Sequence, residues 1–269
     1  MLGAFPSRSR LRREFYPSPQ RTQGGRPHPP NLQFDSLLMR EMAPLPTGGA
    51  FSKTVREELT HEMKLTERDL YILKLVNKFR FALGKHIMTL AGFTGLRATD
   101  RRLRALIDAG YLARKRYLHG VSYLYTLTHK GRILLGANKR EDKIRIDRIM
   151  HDIRVLESVI FYIFEQGVAL ADIESEKELH IKGGFGVRKH HPDFTVNLGG
   201  ESVAVEVELN PKGKTRMEQN IRENYLNYDR QIWVTDDRKV LSMLGEFSDA
   251  YSNISVMPLE KVIAYAEKR

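Results

Sequence analysis

The stretch His190–Lys214, HHPDFTVNLGGESVAVEVELNPKGK, decides how the second half of this 269-residue chain is expected to fold. The pair Gly199-Gly200 separates two runs of alternating residues, which is a strong short-range signal for a β-hairpin. The first strand is expected to begin near Asp193. The second, Ser202–Leu209, alternates valine with alanine and glutamate, so its valines would share one face and its acidic residues the other. The stretch therefore predicts a two-stranded hairpin with one buried face.

Three carboxylates are expected to meet at one end of this hairpin. Glu206 and Glu208 share a face of the second strand, and Asp193 opens the neighbouring strand. Anions placed this close repel one another unless a cation lies between them, and hard oxygen ligands suit Mg²⁺ or Mn²⁺. We therefore predict that the three residues form a divalent-metal site. The alternative is an ordinary exposed strand face that binds no ion.

The composition is that of a protein with enough apolar material for a core and without a membrane span. Apolar residues make up 41% of the chain, the mean hydropathy is −0.42, and no apolar run approaches 18 residues. The N-terminus has no apolar segment of the secretory type. Cysteine is absent, which excludes disulfides and thiolate metal sites and fits a reducing compartment. We expect a cytoplasmic protein with no membrane partner.

Charge divides the chain into a basic and an acidic half. Residues 1–140 carry 26 basic and 10 acidic side chains, a balance of +16, whereas residues 141–269 carry 18 and 23, a balance of −5. The front half is therefore expected to face a polyanion. Residues 1–60 are predicted to be a disordered basic arm, because the first 50 residues hold 8 of the 11 prolines. The arm is either a solvated tail or a segment that follows phosphates.

Residues 61–140 have the element order of a winged helix-turn-helix. Thr66 is a good N-cap for the first helix, and Asp69 three residues later gives a sequence close to a capping box. A short second helix follows, and a basic third helix runs from about Arg97 to Ala109. Two short strands then form the wing. In this layout the third helix enters the major groove and the wing grips the backbone of duplex DNA. The predicted DNA-binding residues are Arg97, Arg101, Arg102, Arg104, Arg114, Lys115 and Arg116.

Residues 141–269 are predicted to form an α/β domain with the order α-β-β-β-α-β-α-β. Its first helix is amphipathic and becomes strongly apolar towards Glu165, which indicates packing against a core. The fold class expected for the whole chain is α+β, with an N-terminal winged helix followed by this α/β domain. His151, near the start of the apolar helix, is expected to have a structural role.

The hairpin motif, Pro192-Asp193 followed by Glu206-Val207-Glu208, resembles the PD-(D/E)xK restriction-endonuclease-like fold. The resemblance implies that Asp193 and Glu206 bind the metal. Glu208 stands where that motif normally has a lysine, so Lys212 or Lys214 would have to supply the positive charge.

The preceding helix carries one further acidic candidate. Glu157 could bind a metal ion through water, or it could be an ordinary solvated helix residue.

The layout of residues 62–240 resembles the replication-relaxation family of mobile elements and the related MobC-type relaxases of mobilisable plasmids. The resemblance implies nicking of duplex DNA at a specific origin of transfer or replication, together with other mobilisation or replication proteins. The expected function is a Mg²⁺- or Mn²⁺-dependent DNA-nicking endonuclease. Two alternatives remain open: a non-catalytic origin- or operator-binding protein with a degenerate nuclease domain, and a double-strand nuclease with little sequence preference.

Overall fold

The computed structural model describes residues 64–137, 142–183 and 189–269, which are 52% helical and 17% strand. The chain is therefore a mixed α and β protein, and these residues hold a three-stranded and a five-stranded sheet. The basic arm expected at residues 1–60 and the boundary expected at residues 140 and 141 lie outside the described residues. Within the described ranges, no helix has both the length and the apolar character needed to span a lipid bilayer.

The first part of the described chain packs four helices against the three-stranded sheet. Its first helix begins as the sequence predicts, because Thr66 and Asp69 form a reciprocal capping box. The sheet is antiparallel throughout, with the strand order β1-β3-β2. The elements are α1 (Glu67–Phe79), β1 (Ala82–Leu83), α2 (Gly84–Leu90), α3 (Leu96–Asp108), β2 (Leu112–Lys115), β3 (Leu124–Leu127) and α4 (His129–Leu134).

The second part is built on the five-stranded sheet, with the strand order β4-β5-β6-β7-β8. Strand β5 runs antiparallel to β4 and to β6, whereas β6, β7 and β8 run parallel to one another. The elements are α5 (Ile149–Glu165), β4 (Ile173–Ser175), α6 (Glu176–Gly183), β5 (Phe194–Leu198), β6 (Glu201–Val207), α7 (Lys214–Asn227), β7 (Arg230–Val234), α8 (Arg238–Phe247), β8 (Ile254–Met257) and α9 (Leu259–Glu267).

The predicted hairpin is present as β5 and β6. Gly199 and Gly200 both have positive φ angles, 61° and 92°, which a tight two-residue hairpin turn of the primed kind requires. Val203, Val205 and Val207 lie in the main core, whose other members include apolar residues of α5 and α9. Helices α7 and α8 cover Trp233 of β7 in a second cluster. The valines therefore share one face as predicted, whereas the opposite face, with Ala204 and Glu206, is buried as well and not only the valine face.

Two helices of the second part were not predicted from sequence. Helix α6 has no apolar stripe and buries none of its residues, so no periodic signal marks it. Helix α9 directly follows β8 and packs on α5, burying Val262 and Ala266. The first strand of the predicted order, β4, has only three residues, because a 3₁₀ turn occupies Leu170–Asp172 ahead of it.

Helix α5 links the two parts through shared apolar packing. Its first turns place Ile149 and Ile153 in one cluster with Phe81, Leu83 and Leu124 from the three-stranded sheet region. The later turns of the same helix pack in the main core with the strands of the larger sheet. Helix α5 therefore packs against both the small sheet and the large sheet through buried apolar side chains.

Candidate functional site

The hairpin brings the three predicted carboxylates to one end of the large sheet. Phe194 pairs with Val205, so Asp193 stands next to Glu206 on the neighbouring strand. The Val207 N–H donates a hydrogen bond of 2.8 Å to Asp193 Oδ2. Glu208 follows two residues later on the same side, and its N–H extends the ladder to β7 by donating to the Val234 carbonyl at 3.0 Å.

Asp193 is held by two basic residues at the start of α5. His151 Nε2 lies 3.2 Å from Asp193 Oδ2, and an Arg148 guanidinium nitrogen lies 3.6 Å from Oδ1. Burial raises the pKa of Asp193, but His151, the Val207 N–H and Arg148 outweigh burial and hold that pKa at about 2. Burial lowers the pKa of His151, but Asp193 and Asp152 raise it to about 10. The pair is therefore an imidazolium and a carboxylate at neutral pH, and His151 contacts the site directly.

Glu206 is buried and has two polar partners. Asn224 of α7 donates a hydrogen bond of 2.9 Å from Nδ2 to Glu206 Oε1, and His190 Nε2 contacts the same oxygen. Burial lowers the pKa of His190, but its contact with Glu206 outweighs burial and raises that pKa. The His190 backbone N–H also donates to Glu223 on α7 at 2.7 Å. Helix α7 therefore fixes both the carboxylate and the segment that leads into β5.

Glu208 is paired with one of the two lysines proposed to replace the missing motif lysine. Lys212 Nζ forms an ion pair with Glu208 Oε2. Burial raises the pKa of Glu208, the charges of Asp193 and Glu206 raise it further, and Lys212 opposes them. Lys214 lies elsewhere, because its Nζ is 2.6 Å from Glu246 of α8. The structure thus brings Lys212 to the three carboxylates and holds Lys214 against α8.

The donor set fits a hard divalent cation in its chemistry, because Asp193, Glu206 and Glu208 present carboxylate oxygens within electrostatic reach of one another, and Glu206 and Glu208 are buried. Each carboxylate also has a basic neighbour, which is His151, His190 or Lys212 respectively. Among the described residues, no three His, Asp or Glu side chains are grouped closely enough to hold an ion. A metal ion bound to these carboxylates would therefore take the place of the basic side chains that now contact them, namely His151, His190 and Lys212.

Glu157 does not have the surroundings expected of a metal ligand or of a solvated helix residue. It is fully buried, Lys85 Nζ of α2 lies 2.7 Å from its Oε1, and Arg154 binds its other oxygen. Burial raises the pKa of Glu157, but His86, Lys85 and Arg154 outweigh burial and lower it to about 2. Glu157 thus joins α5 to α2 through an ion pair.

A small cleft lies beside Asp193, where α1 meets α6. Its volume is about 20 Å³. Arg80 at the end of α1 contacts Glu176 Oε2 at 3.1 Å, and Arg148 approaches Glu176 Oε1 at 3.8 Å. Lys78 and Glu178 add a second pair across the same junction, at 2.8 Å. Charged side chains therefore connect α1 to the carboxylate site.

Helix α3 and the antiparallel pair β2-β3 present a basic surface. Six of the seven predicted DNA-binding side chains are exposed, namely Arg97, Arg101, Arg104, Arg114, Lys115 and Arg116. Arg102 differs from them, because its Nε donates to Asp69 Oδ1 at 2.6 Å and its guanidinium also binds Oδ2. Asp69 is fully buried. Arg102 therefore fastens α3 to the capped start of α1.

This difference predicts opposite phenotypes for two neighbouring arginines. Arg102→Gln is expected to lower the free energy of unfolding by about 1–3 kcal/mol, because it leaves the buried Asp69 carboxylate without its charged partner. Arg101→Gln, which changes an exposed side chain, is expected to stay within about 0.5 kcal/mol of wild type and to weaken duplex binding instead. Thermal unfolding and DNA-binding titrations of both variants check this. Equal stability of the two proteins would contradict the assigned role of Arg102.

Sequence reasoning missed two residues that contact the site carboxylates, namely Arg148 and Asn224. It also favoured phosphate contact or exposure for His190, whereas that side chain is largely buried and contacts Glu206. Asn224 could have been identified from the sequence, because a polar residue on the buried stripe of α7 is unusual and indicates a specific partner. Arg148 could not, since it is one of several arginines in a charged segment.

Comparison with family models, curated proteins and solved structures finds no match to this chain.

Proposed function

We propose that this protein is a divalent-metal-dependent endonuclease that nicks duplex DNA, bound through a winged helix and cut at a PD-(D/E)xK-type site. The observation that carries the proposal is the meeting of Asp193, Glu206 and Glu208 with Lys212 at the end of one hairpin. A lysine next to acidic residues on paired strands is what metal-assisted phosphodiester hydrolysis needs, and Lys212 provides it from outside the motif position.

The order of the elements supports the same proposal. A helix, three antiparallel strands, a helix and a parallel strand, here α5, β4-β5-β6, α7 and β7, is the arrangement expected of a PD-(D/E)xK core. Three helices with a β2-β3 wing and an exposed basic α3 suit a winged helix. Both assignments rest on topology and on the position of the charged residues.

Each side chain of the site has a separate role in the proposed reaction. Asp193, Glu206 and Glu208 would hold Mg²⁺ or Mn²⁺, which when bound supplies an activated water and stabilises negative charge on the phosphate. Lys212 adds positive charge beside the scissile phosphate, where it lowers the energy of the transition state. Asn224 and the Val207 N–H keep the Glu206 and Asp193 carboxylates in place through hydrogen bonds of 2.9 and 2.8 Å.

The DNA sequence that is nicked is proposed from the resemblance to replication-relaxation proteins and MobC-type relaxases. On that basis the nick falls at a specific origin of transfer or replication of a mobile element. Other mobilisation or replication proteins are then the natural partners.

A second candidate function is a non-catalytic DNA-binding protein, and one observation favours it. Each of the three carboxylates already has a basic neighbour, so the charge of the cluster is balanced without an added ion. In that case the second part of the chain would be a degenerate nuclease domain, and the winged helix alone would act on an origin or operator.

A nicking assay separates the two functions. Wild-type protein is mixed with supercoiled plasmid that carries the native origin, with Mg²⁺, with Mn²⁺ or with chelator. The proposal expects open circles only with the metal ions, and Lys212→Met is expected to slow their formation by about 10²-fold. Lys214→Met is the matched control and should match wild type, since Lys214 pairs with Glu246. Intact plasmid under all conditions with retained duplex binding supports the second function, and linear product would indicate a double-strand nuclease.

A further inference from the structure

The wing carries two arginines that stack on one exposed tyrosine. The guanidinium carbon of Arg114 lies 4.9 Å from the centre of the Tyr123 ring, and that of Arg116 lies 5.0 Å from the same centre. Tyr123 is 41% exposed, and both arginines are exposed as well. An aromatic ring shared by two surface cations is an unusual feature, because the cations repel each other unless something holds them.

The strand register explains why these three side chains meet. Lys115 pairs with Leu124, so Arg116 stands opposite Tyr123 across the two strands. Arg114 lies two residues before Arg116 and therefore points to the same face, diagonal to the tyrosine. Lys115 points to the other face, where its Nζ lies 5.1 Å from the Tyr117 ring. The alternation of side chains along the two strands therefore places Arg114, Arg116 and Tyr123 on one face of the wing.

Stacking changes what the arginines can do. A guanidinium that lies over an aromatic face keeps its N–H groups free at its edge, where they can bind a phosphate in a forked geometry. A long side chain that is already ordered loses less conformational freedom on binding. Two such groups, two residues apart in sequence and on the same face of the hairpin, can contact neighbouring phosphates of one DNA strand.

We propose that Tyr123 is a positioning residue for DNA binding, which holds Arg114 and Arg116 as a preformed clamp on the backbone of duplex DNA. This inference rests on the DNA-binding half of the proposed function and is independent of nicking. The clamp reads phosphates, so it contributes affinity and salt dependence and little sequence preference.

Binding of full-length protein to a duplex fragment, measured in chelator at several salt concentrations, tests the clamp. Tyr123→Leu is expected to weaken binding by about 3–10-fold and to reduce the salt slope by about 1 or more, because ordered phosphate contacts are lost. Tyr123→Phe keeps the ring and should stay within about twofold of wild type. The control is Tyr225→Leu, which removes a tyrosine of matched exposure, 42%, from α7 and should leave binding unchanged.

A double-mutant cycle distinguishes positioning from a general effect on the wing. In an Arg114→Gln/Arg116→Gln background, adding Tyr123→Leu should cost no further affinity, because the groups that it positions are gone. The proposal is overturned if Tyr123→Leu binds as wild type, if Tyr123→Phe loses as much as Tyr123→Leu, or if the leucine costs the same in both backgrounds. Wild-type protein that binds no duplex would instead overturn the DNA-binding function, and the clamp with it.

Discussion

Asp193→Asn is expected to lose on the order of 10³-fold in nicking rate while it binds duplex DNA as wild type does. The amide oxygen can still accept the hydrogen bond from the Val207 N–H, so the hairpin should keep its geometry. What disappears is the negative charge that would hold the metal ion and that now balances His151. Initial rates of open-circle formation on supercoiled origin plasmid, together with a binding titration in chelator, measure the two effects separately.

The control for this variant lies on the same hairpin. Glu201→Gln neutralises an exposed carboxylate at the turn end of β6, where Glu201 pairs with Arg230 at 3.2 Å. It should nick at the wild-type rate. If Asp193→Asn and Glu201→Gln have equal rates, the site at Asp193 does not carry the reaction.

Glu157→Ala is expected to give the largest loss of stability among these substitutions, about 2–3 kcal/mol. It removes a fully buried carboxylate and leaves Lys85 and Arg154 without their neutralising partner. For a chain of this size the loss corresponds to a decrease in Tm of roughly 5–10 °C. Thermal unfolding at pH 7 measures it. The matched control is Glu174→Ala, whose partner Lys182 is exposed and which should change stability by less than about 0.5 kcal/mol.

Wild-type protein and Glu157→Ala are also expected to differ in how their stability depends on pH. The pKa of Glu157 is about 2 in the folded protein and 4.5 when the group is unperturbed, so its charged form favours folding. Its contribution is therefore fully present above about pH 4.5 and is lost as the pH falls towards 2. The stability gap between wild type and Glu157→Ala should narrow over that range. A gap that stays constant down to pH 2 would show that Glu157 acts through packing alone.

Short-range patterns predicted the features that depend on neighbouring residues. The Gly199-Gly200 turn, the alternation of Val203 and Val205, and the capping box of Thr66 with Asp69 all follow from local stereochemistry. Helix α6 escaped prediction because it has no buried stripe to leave a periodic signal.

The partners of the site residues could not be predicted in the same way. Arg148 and Asp193 are 45 positions apart in the sequence, and only the packing of α5 across the sheet brings them within 3.6 Å. The same limit applies within a single residue type. Arg101 and Arg102 are adjacent and equally basic in sequence, yet only Arg102 meets the buried Asp69. The sequence pattern identifies which residue types lie in a region. Tertiary packing decides which of those charged side chains are already paired with a partner inside the protein.

The double anchoring of α5 has a consequence for where a nick would fall. One end of this helix is buried against the small sheet and the other against the large sheet, so the basic surface and the carboxylates keep a constant separation. If the proposed function is correct, a protein built in this way would keep a fixed distance between the bound sequence and the nick. The broken phosphodiester would lie a set number of base pairs from the bound sequence, and inserting bases between the two would shift the nick relative to its original bond.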